Sequence, residues 1–292
     1  MLNGWIILDK PAGIGSTTCL NKIKKTHNIS KIGHAGTLDP LASGILPIAI
    51  GEACKLTSYF MDDLKEYEFT VEFGSETSTL DLEGEVIHTS DYLPTESDIK
   101  AVLSGFIGNI NQVPPAYSAI KQNGKRAYDL ARSGVEVCLS ERSIYIESIE
   151  LTSYSNTSSS FRVLCGKGTY IRSLARDIAL KCGSFGHVTK LIRTKIGKFS
   201  LIDAISLDSL LNLMHTAPII KPLEIVLDDI PVINLTKEQA ISIKCGKKLM
   251  FPNGDIKLIQ ATFDNMLIAI GSINSHYFES VRVFNLFNEK GD

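Results

Sequence analysis

The residues most suited to chemistry lie together in Gly33-His34-Ala35-Gly36-Thr37-Leu38-Asp39-Pro40-Leu41-Ala42-Ser43-Gly44. Glycines at 33, 36 and 44 and the proline at 40 dictate turns rather than a helix or strand. One histidine, one carboxylate and two hydroxyls ride on that stiff backbone. A loop of fixed shape is a common home for a catalytic group. Asp39 is the candidate; its plainer alternative is an Asx turn ahead of Pro40.

Two further clusters carry charge and aromatic surface. Gly166-Lys167-Gly168-Thr169-Tyr170-Ile171-Arg172 brings two glycines and cations to a helix start, with Arg176 one turn on. Free N–H groups and the helix dipole there suit a phosphate or carboxylate. A solvated basic helix face fits equally. Val113-Pro114-Pro115-Ala116-Tyr117-Ser118-Ala119-Ile120-Lys121, followed by Gly124-Lys125-Arg126-Ala127-Tyr128, interleaves tyrosines with cations on a Pro-stiffened loop. That suits base stacking plus phosphate contact, or a structural proline loop. Histidines at 27, 34, 88, 187, 215 and 276 have no helical ligand spacing with a carboxylate, so no metal site is expected. A dinucleotide fingerprint, a P-loop and a nucleophile elbow are all missing from the sequence.

The elements that must position these residues read as follows. Segment 66–74 alternates, with Tyr67, Phe69, Val71 and Phe73 on one face and Glu68, Thr70 and Glu72 on the other. That is a half-buried strand. Segments 5–8, 45–50, 84–89, 143–154 and 160–166 also read as strands. Helices are expected after Ser16 as N-cap, after Thr95 with Asp98 at capping-box spacing, over 126–133 up to Gly134, from Tyr170 to Cys182, and over 205–214. Strands return after Pro231, at 232–235, 257–263, 265–273 and 281–285. Without a regular βαβ rhythm the expectation is α+β, a mixed and mainly antiparallel sheet flanked by helices. The division expected is residues 1–228 and a small β-rich unit, 229–292, joined through Pro222 and Leu227-Asp228-Asp229.

Bulk properties narrow the class. The chain has 292 residues, 44% hydrophobic and 21% charged, which suits a large core and not disorder. No apolar run is long enough to span a membrane, and Asp9 interrupts the first one, so neither an anchor nor a signal peptide is expected. Six scattered cysteines without a C-x-x-C pair point to reduced thiols and a cytoplasmic protein. A net charge of −2 argues against binding nucleic acid through bulk charge. Locally, 61–104 holds twelve acids against two lysines, while 161–200 holds nine Lys/Arg against one acid. The basic stretch reads either as a solvated surface or as a track for a polyanion.

In this order the clusters resemble the tRNA pseudouridine-55 synthases of TruB type. Leu8-Asp9-Lys10-Pro11-Ala12-Gly13 is similar to the opening motif, and Gly33 to Pro40 to the catalytic loop. Val113 to Ala119 with Gly124 to Tyr128 resembles a third motif, and Gly168 to Arg172 a fourth. The resemblance covers the whole first unit and implies a pseudouridine synthase fold. It extends to the tail, ending in Arg282-Val283-Phe284, as a PUA-like RNA-binding domain. It implies that Asp39 acts at the sugar of the target uridine. Tyr67 would stack on the flipped base and serve in late proton removal, and Arg172 would pair with Asp39. His34, Tyr170 and Leu191 would line the substrate site, and Lys55 would meet the RNA backbone. The chain departs from the pattern at Gly15, where the family has Thr, and at Ser78 of Thr77-Ser78-Thr79, where it has Asp; Asp81 and Gly84 keep their places.

Pseudouridine formation fits the inventory. The bond from C1′ to N1 is exchanged for one from C1′ to C5, with nothing oxidised and no atom gained, so no cofactor is expected. One carboxylate suffices, either adding at C1′ or taking the C2′ proton. A glycosidic hydrolase more often needs two. The partner implied is the T-arm stem-loop of tRNA, met by a monomer without membrane, metal or guide RNA. Competing readings are a non-catalytic tRNA-binding or tRNA-folding protein on this scaffold, a nucleoside or glycoside hydrolase using Asp39, and a guide-RNA-dependent relative, whose extra basic tails this sequence lacks.

Overall fold

Apolar side chains alternating to both sides of a strand call for a layer on each face, and strand β1 (Gly4–Lys10) has this pattern. Ile6 and Leu8 enter one core; Trp5 and Ile7 enter another. The computed structural model describes residues 2–122, 124–135, 137–214, 219–252 and 254–286, so His215 and residues 287–292 lie outside it. After β1 come α1 (Ser16–Thr26), β2 (Ile32–His34), β3 (Ser43–Ile50), α2 (Thr57–Asp62), β4 (Lys65–Phe73), β5 (Ser75–Thr77), β6 (Val86–Thr89) and α3 (Glu96–Leu103). The middle of the chain forms β7 (Gly108–Gln112), β8 (Lys121–Gln122), β9 (Lys125–Arg126), α4 (Ala127–Arg132), β10 (Arg142–Tyr154) and β11 (Ser158–Cys165). Next are α5 (Ile171–Lys181), β12 (Gly186–Ile196), β13 (Phe199–Ser200), β14 (Ile205–Ser206) and α6 (Leu207–Leu211). The tail contributes β15 (Val232–Asn234), α7 (Lys237–Lys244), β16 (Leu249–Met250), β17 (Ile256–Phe263), β18 (Met266–Asn274) and β19 (Tyr277–Val283).

Ten strands form the main sheet, in the order β14-β1-β3-β12-β4-β11-β10-β7, with β2 beside β3 and β13 beside β12. The pairs β1–β14 and β3–β12 are parallel and the rest antiparallel. This is the expected mixed sheet. Helices α1, α3 and α5 cover one face through Cys19, Leu20, Ile23, Ile99, Leu174 and Ile178. Thr95 and Asp98 form the expected capping box on α3. Gly134 and Gly183 take positive φ just past α4 and α5, as expected of helix stops.

A second sheet, β15-β17-β18-β19-β16, folds around its own core of Leu235, Ile243, Ile259, Ile268 and Phe278. Its Leu267 and Ile270, with Phe284, join Trp5, Phe60 and Phe199 beneath the main sheet. The joining segment is packed rather than free. Leu223 and Leu227 are buried in the same cluster, Trp5 Nε1 donates to Leu223 O, and Gln260 Nε2 donates to Leu227 O.

Several expectations change. Strand β12 was not legible as a strand, yet it lies at the centre of the sheet between β3 and β4. Ser16 does not cap α1. Its buried hydroxyl donates to Leu38 O at 2.8 Å and accepts from Leu38 N at 2.9 Å, which fastens α1 to the 33–44 loop. The helix expected over 205–214 shortens to Leu207–Leu211, and the last strand starts earlier, at Tyr277.

The opposite charges of 61–104 and 161–200 meet each other, because those segments supply adjacent strands. Arg162 pairs with Glu68, Lys195 with Glu66, Lys167 with Asp62 and Arg172 with Asp81. Four of the nine cations of the basic stretch thus face acids of the neighbouring strand and loop, while Lys181 and Lys190 stay exposed.

Gly44 shows how closely the loop meets the sheet. It has φ +99°, and a Cβ there would stand 2.2 Å from Arg193 O and 2.9 Å from Arg193 N. Gly44→Ala is expected to lose more than the roughly 1–3 kcal/mol that an unfavourable φ alone costs. Urea unfolding measures this, and an unchanged midpoint would show the approach to be loose.

Candidate active site

Arg172 enters at the first turn of α5, whose amphipathic face buries Ile171, Leu174, Ala175 and Ile178. Its side chain is 5% exposed. A guanidinium has only donors and keeps its charge, so burial obliges it to find oxygens. Nη1 donates to Thr79 O at 2.7 Å and Nη2 to Tyr117 O at 2.8 Å. Nε lies 2.9 Å from Asp39 Oδ2, and Nη1 lies 3.4 Å from Asp81 Oδ2. The Nε contact is an ion pair rather than an aligned hydrogen bond. One cation thus gathers the 33–44 loop, the 77–84 turn and the Pro-rich loop. The Asp39 carboxylate remains 37% exposed, open to a ligand on its other side.

The loop carrying Asp39 is held from three directions. Gly13 N donates to Pro40 O, Ser16 holds both polar atoms of Leu38, and Ala42 N donates to Asp39 O. The fully buried Lys10 supports the opening motif by donating to Ile14 O at 2.6 Å and Pro11 O at 2.9 Å. Burial lowers the Lys10 pKa, while Cys19 and the Asp39 carboxylate act to raise it. On β12 the 1%-exposed Arg193 donates from Nε to Ile45 O at 2.7 Å and from Nη2 to Gly36 O at 3.0 Å.

Tyr67 is half-buried on β4, directly across from Arg193 on β12. Burial raises its pKa, and the positive charge of Arg193 opposes the rise. Tyr170 lies within electrostatic range of both Asp39 and Arg172, and burial raises its pKa too. Leu191 is buried across from Phe69, next along the same face of the sheet from Tyr67. His34, on β2, has a buried Nδ1 without a partner. Burial lowers the His34 pKa, and the nearby Arg193 charge adds to that.

The structure therefore brings Asp39, Arg172, Tyr67 and Tyr170 together, with Leu191 and His34 close behind. Lys55 is engaged elsewhere: Nζ donates to Glu52 at 2.6 Å and to Val283 O at 2.7 Å, over the Phe284 ring. It clasps the second sheet to the first. At the helix start, Gln112 Oε1 accepts from Tyr170 N at 2.9 Å, so one of the N–H groups there is already engaged. Sequence reasoning assigned no place in the site to Asp81 or Arg193, and read Ser16 only as a helix cap. Asp81 is buried at the 77–84 turn and accepts from Thr79 Oγ1 at 2.5 Å and Glu83 N at 3.0 Å. The one available signal for Arg193 was a lone cation inside Leu191-Ile192-Arg193, an apolar run too short to declare its period.

Residues 24–171 match the N-terminal domain of TruB family pseudouridylate synthases, and residues 172–228 match a tRNA pseudouridylate synthase B C-terminal domain. The chain belongs to the TruB family. It is 41% identical to a tRNA pseudouridine synthase B of Caulobacter sp. (strain K31), over 98% of this chain and 97% of the relative. It is 44% identical to the protein of that name from Novosphingobium aromaticivorans, over 98% of both chains. Among solved structures, a chain of a Cbf5-Nop10-Gar1 complex superposes with a TM-score of 0.72 at 26% identity, over 96% of this chain and 84% of that one. The expected fold is thus the family's fold. Its boundary between residues 171 and 172 cuts through one continuous sheet, since β12 pairs with both β3 and β4.

The geometry of Arg172 makes Asp81 a test of positioning. Asp81→Asn keeps the shape but removes one of the two carboxylates facing the guanidinium. A shift of the Arg172–Asp39 pair on the order of 1 Å would lower kcat roughly 10²-fold with RNA affinity retained. Single-turnover kinetics measures it, and an unchanged kcat would remove Asp81 from the positioning network.

Lys65 offers a pH test. It is buried, donates to Met61 O and Asp63 O, and its pKa falls to about 8 through burial, with Arg193 adding to the fall. Below about pH 8 folded and unfolded chains both hold the proton, and the cost of the buried charge is carried in full. From there to the ordinary lysine value the unfolded chain binds more protons, so stability rises with pH. Urea melts at about pH 7 and pH 10 should show wild type gaining on Lys65→Met as pH increases. A constant difference would mean that Lys65 titrates at its ordinary value.

Proposed function

We propose that this protein isomerises uridine 55 in the T-loop of tRNA to pseudouridine, with Asp39 acting at the sugar of the flipped nucleotide. The observation that carries the reading is the Asp39–Arg172 pair: a carboxylate held by a buried cation yet open on one side. Such a group is preorganised to add at C1′ or to take the C2′ proton, with little reorganisation at the moment of reaction. Both steps precede reattachment of the base at C5. The family membership and the full-length relatives named tRNA pseudouridine synthase B support the substrate and make the protein an isomerase.

Extruding the uridine costs a few kcal/mol. Stacking on Tyr67 would return roughly 1–3 kcal/mol, with Leu191 and Tyr170 closing the pocket around the base. His34 would fill the gap left in the RNA stack. Phosphate contacts would come from exposed cations of 161–200 such as Lys181 and Lys190, joined by Lys121, Lys125 and Arg126 on the β8–β9 hairpin. The first 228 residues act as the catalytic unit, and residues 229–292 as a PUA-like RNA-binding unit. The second sheet beginning at Val232 supports that division. The working compartment is the cytoplasm; no described helix is long and apolar enough to cross a membrane. No metal, cofactor or guide RNA enters this reading, and the enzyme works as a monomer.

The test is tritium release from a T-stem-loop transcript carrying 5-tritiated uridine, without added metal. Wild type should release tritium, and Asp39→Asn should not while still binding the RNA. Affinity should fall steeply with salt. Binding without release by wild type would favour a tRNA-binding or tRNA-folding protein on this scaffold, and free uracil would signal a hydrolase.

A further inference from the structure

Arg193 is among the largest fully buried side chains of the chain, yet it sits in the middle of the central strand beside the site. Its guanidinium spans both arms of the Asp39 loop, donating to Gly36 O before the carboxylate and to Ile45 O after it. The loop is shaped around it. A Cβ on Gly36 would stand 3.2 Å from Nη1, and one on Gly44 would strike the Arg193 backbone. Directly across from it in register, on the neighbouring strand, stands Tyr67, whose hydroxyl feels the guanidinium charge. Guanidinium nitrogens only donate, so toward this cation the Tyr67 oxygen can act only as an acceptor.

We propose that Arg193 is a positioning residue that acts through Tyr67, holding its oxygen as an acceptor against a buried positive charge so that it can remove the C5 proton late in the reaction. The proposal rests on the reading of Tyr67 as the late base. After the C1′–C5 bond forms, C5 still carries its hydrogen. The C5–H bond breaks and its electron pair forms the C5=C6 bond. The N1=C6 pair returns to N1, which takes a proton from water. The C5 proton passes to the Tyr67 phenolate oxygen and from there to solvent. Arg193 supplies the counter-charge for that phenolate in a place where burial opposes it. The other groups bearing on Tyr67 are Asp39 from the loop and Cys165 on β11, with Lys65 two residues away on the same strand. Asp39 and Cys165 act against the phenolate, which leaves the cation on β12 to favour it.

The experiment compares single-turnover rates on T-stem-loop RNA carrying 5-protio or 5-deuterio uridine, across pH, for wild type, Tyr67→Phe, Arg193→Lys and Arg193→Gln. Urea melts and RNA binding check that each variant is folded. Arg193→Lys is expected to slow turnover roughly 10²-fold, the scale of a lost general base. It should also raise the C5 isotope effect above the wild-type value and move the rate–pH profile to higher pH. Arg193→Gln, which keeps a planar donor without the charge, should do the same and serves if the lysine variant does not fold. Adding Tyr67→Phe should slow neither variant further, because the two residues act as one unit. A slowed Arg193 variant whose isotope effect and pH profile match wild type would make the residue a loop staple only and overturn the proposal. If Tyr67→Phe raises the isotope effect while both Arg193 variants leave it unchanged, the Arg193 proposal alone falls. If Tyr67→Phe leaves it unchanged, the base reading of Tyr67 fails and takes the proposal with it.

Discussion

A guanidinium that cannot shed its charge must be surrounded by oxygen when it is buried, and the site depends on meeting that demand twice. Arg172 and Arg193 are almost wholly enclosed, and each collects backbone carbonyls from segments far away in sequence. Removing one partner of a buried charge typically costs about 3–5 kcal/mol, so these contacts act as constraints on shape rather than as adjustable attractions. Arg172 fixes where the Asp39 carboxylate stands, and Arg193 fixes the loop that carries it. The Asp39 carboxylate needs no rigidity of its own, because two cations rooted in a helix and in the central strand provide it.

The same electrostatics explains the charge pattern along the chain. The acidic and basic stretches are neighbours in the sheet: β4 carries Glu66 and Glu68, and the strands on either side carry Lys195 and Arg162. These pairs are largely exposed, and each contributes little to stability. Their consequence is for register. A one-residue slip would set cations against the apolar face of β4 and acids against the core.

Much of the site was legible because its constraints are local. The glycines and proline of 33–44 marked the loop, and Gly168 to Arg172 marked the helix start. The alternation from Tyr67 to Phe73 marked the strand that carries Tyr67. Resemblance to a family then tied Asp39, Tyr67 and Arg172 together across 133 residues of chain, and the 2.9 Å ion pair between Asp39 and Arg172 agrees with that pairing. Lys55 fared differently. A lysine's partners depend on what folds against it, and here these are Glu52 and the end of the second sheet. Strand β12 escaped notice because both its faces meet other layers and bulges at 188–190 and 193–195 break its alternation. Asp81 was marked only by keeping its place in the family pattern, since nothing local distinguishes a carboxylate that faces solvent from one that faces a buried arginine.

By itself the sequence determined the class of fold, the order of most elements, the loop that bears the carboxylate and the family whose chemistry it shares. These follow from periodicity, from backbone restrictions at glycine and proline, and from motifs, all of which act over a few residues. Only the tertiary structure decided which cations are buried and which are free, that Ser16 ties a helix to Leu38 instead of capping it, and that Arg193 stands between the Asp39 loop and Tyr67. Those outcomes depend on pairing between segments that lie apart in sequence, by 22 residues for Ser16 and Leu38 and by 157 for Arg193 and Gly36, or on burial that no local stretch can report. A charged side chain has the same identity in water and in a core, and only its surroundings settle whether it binds a ligand or holds the site together.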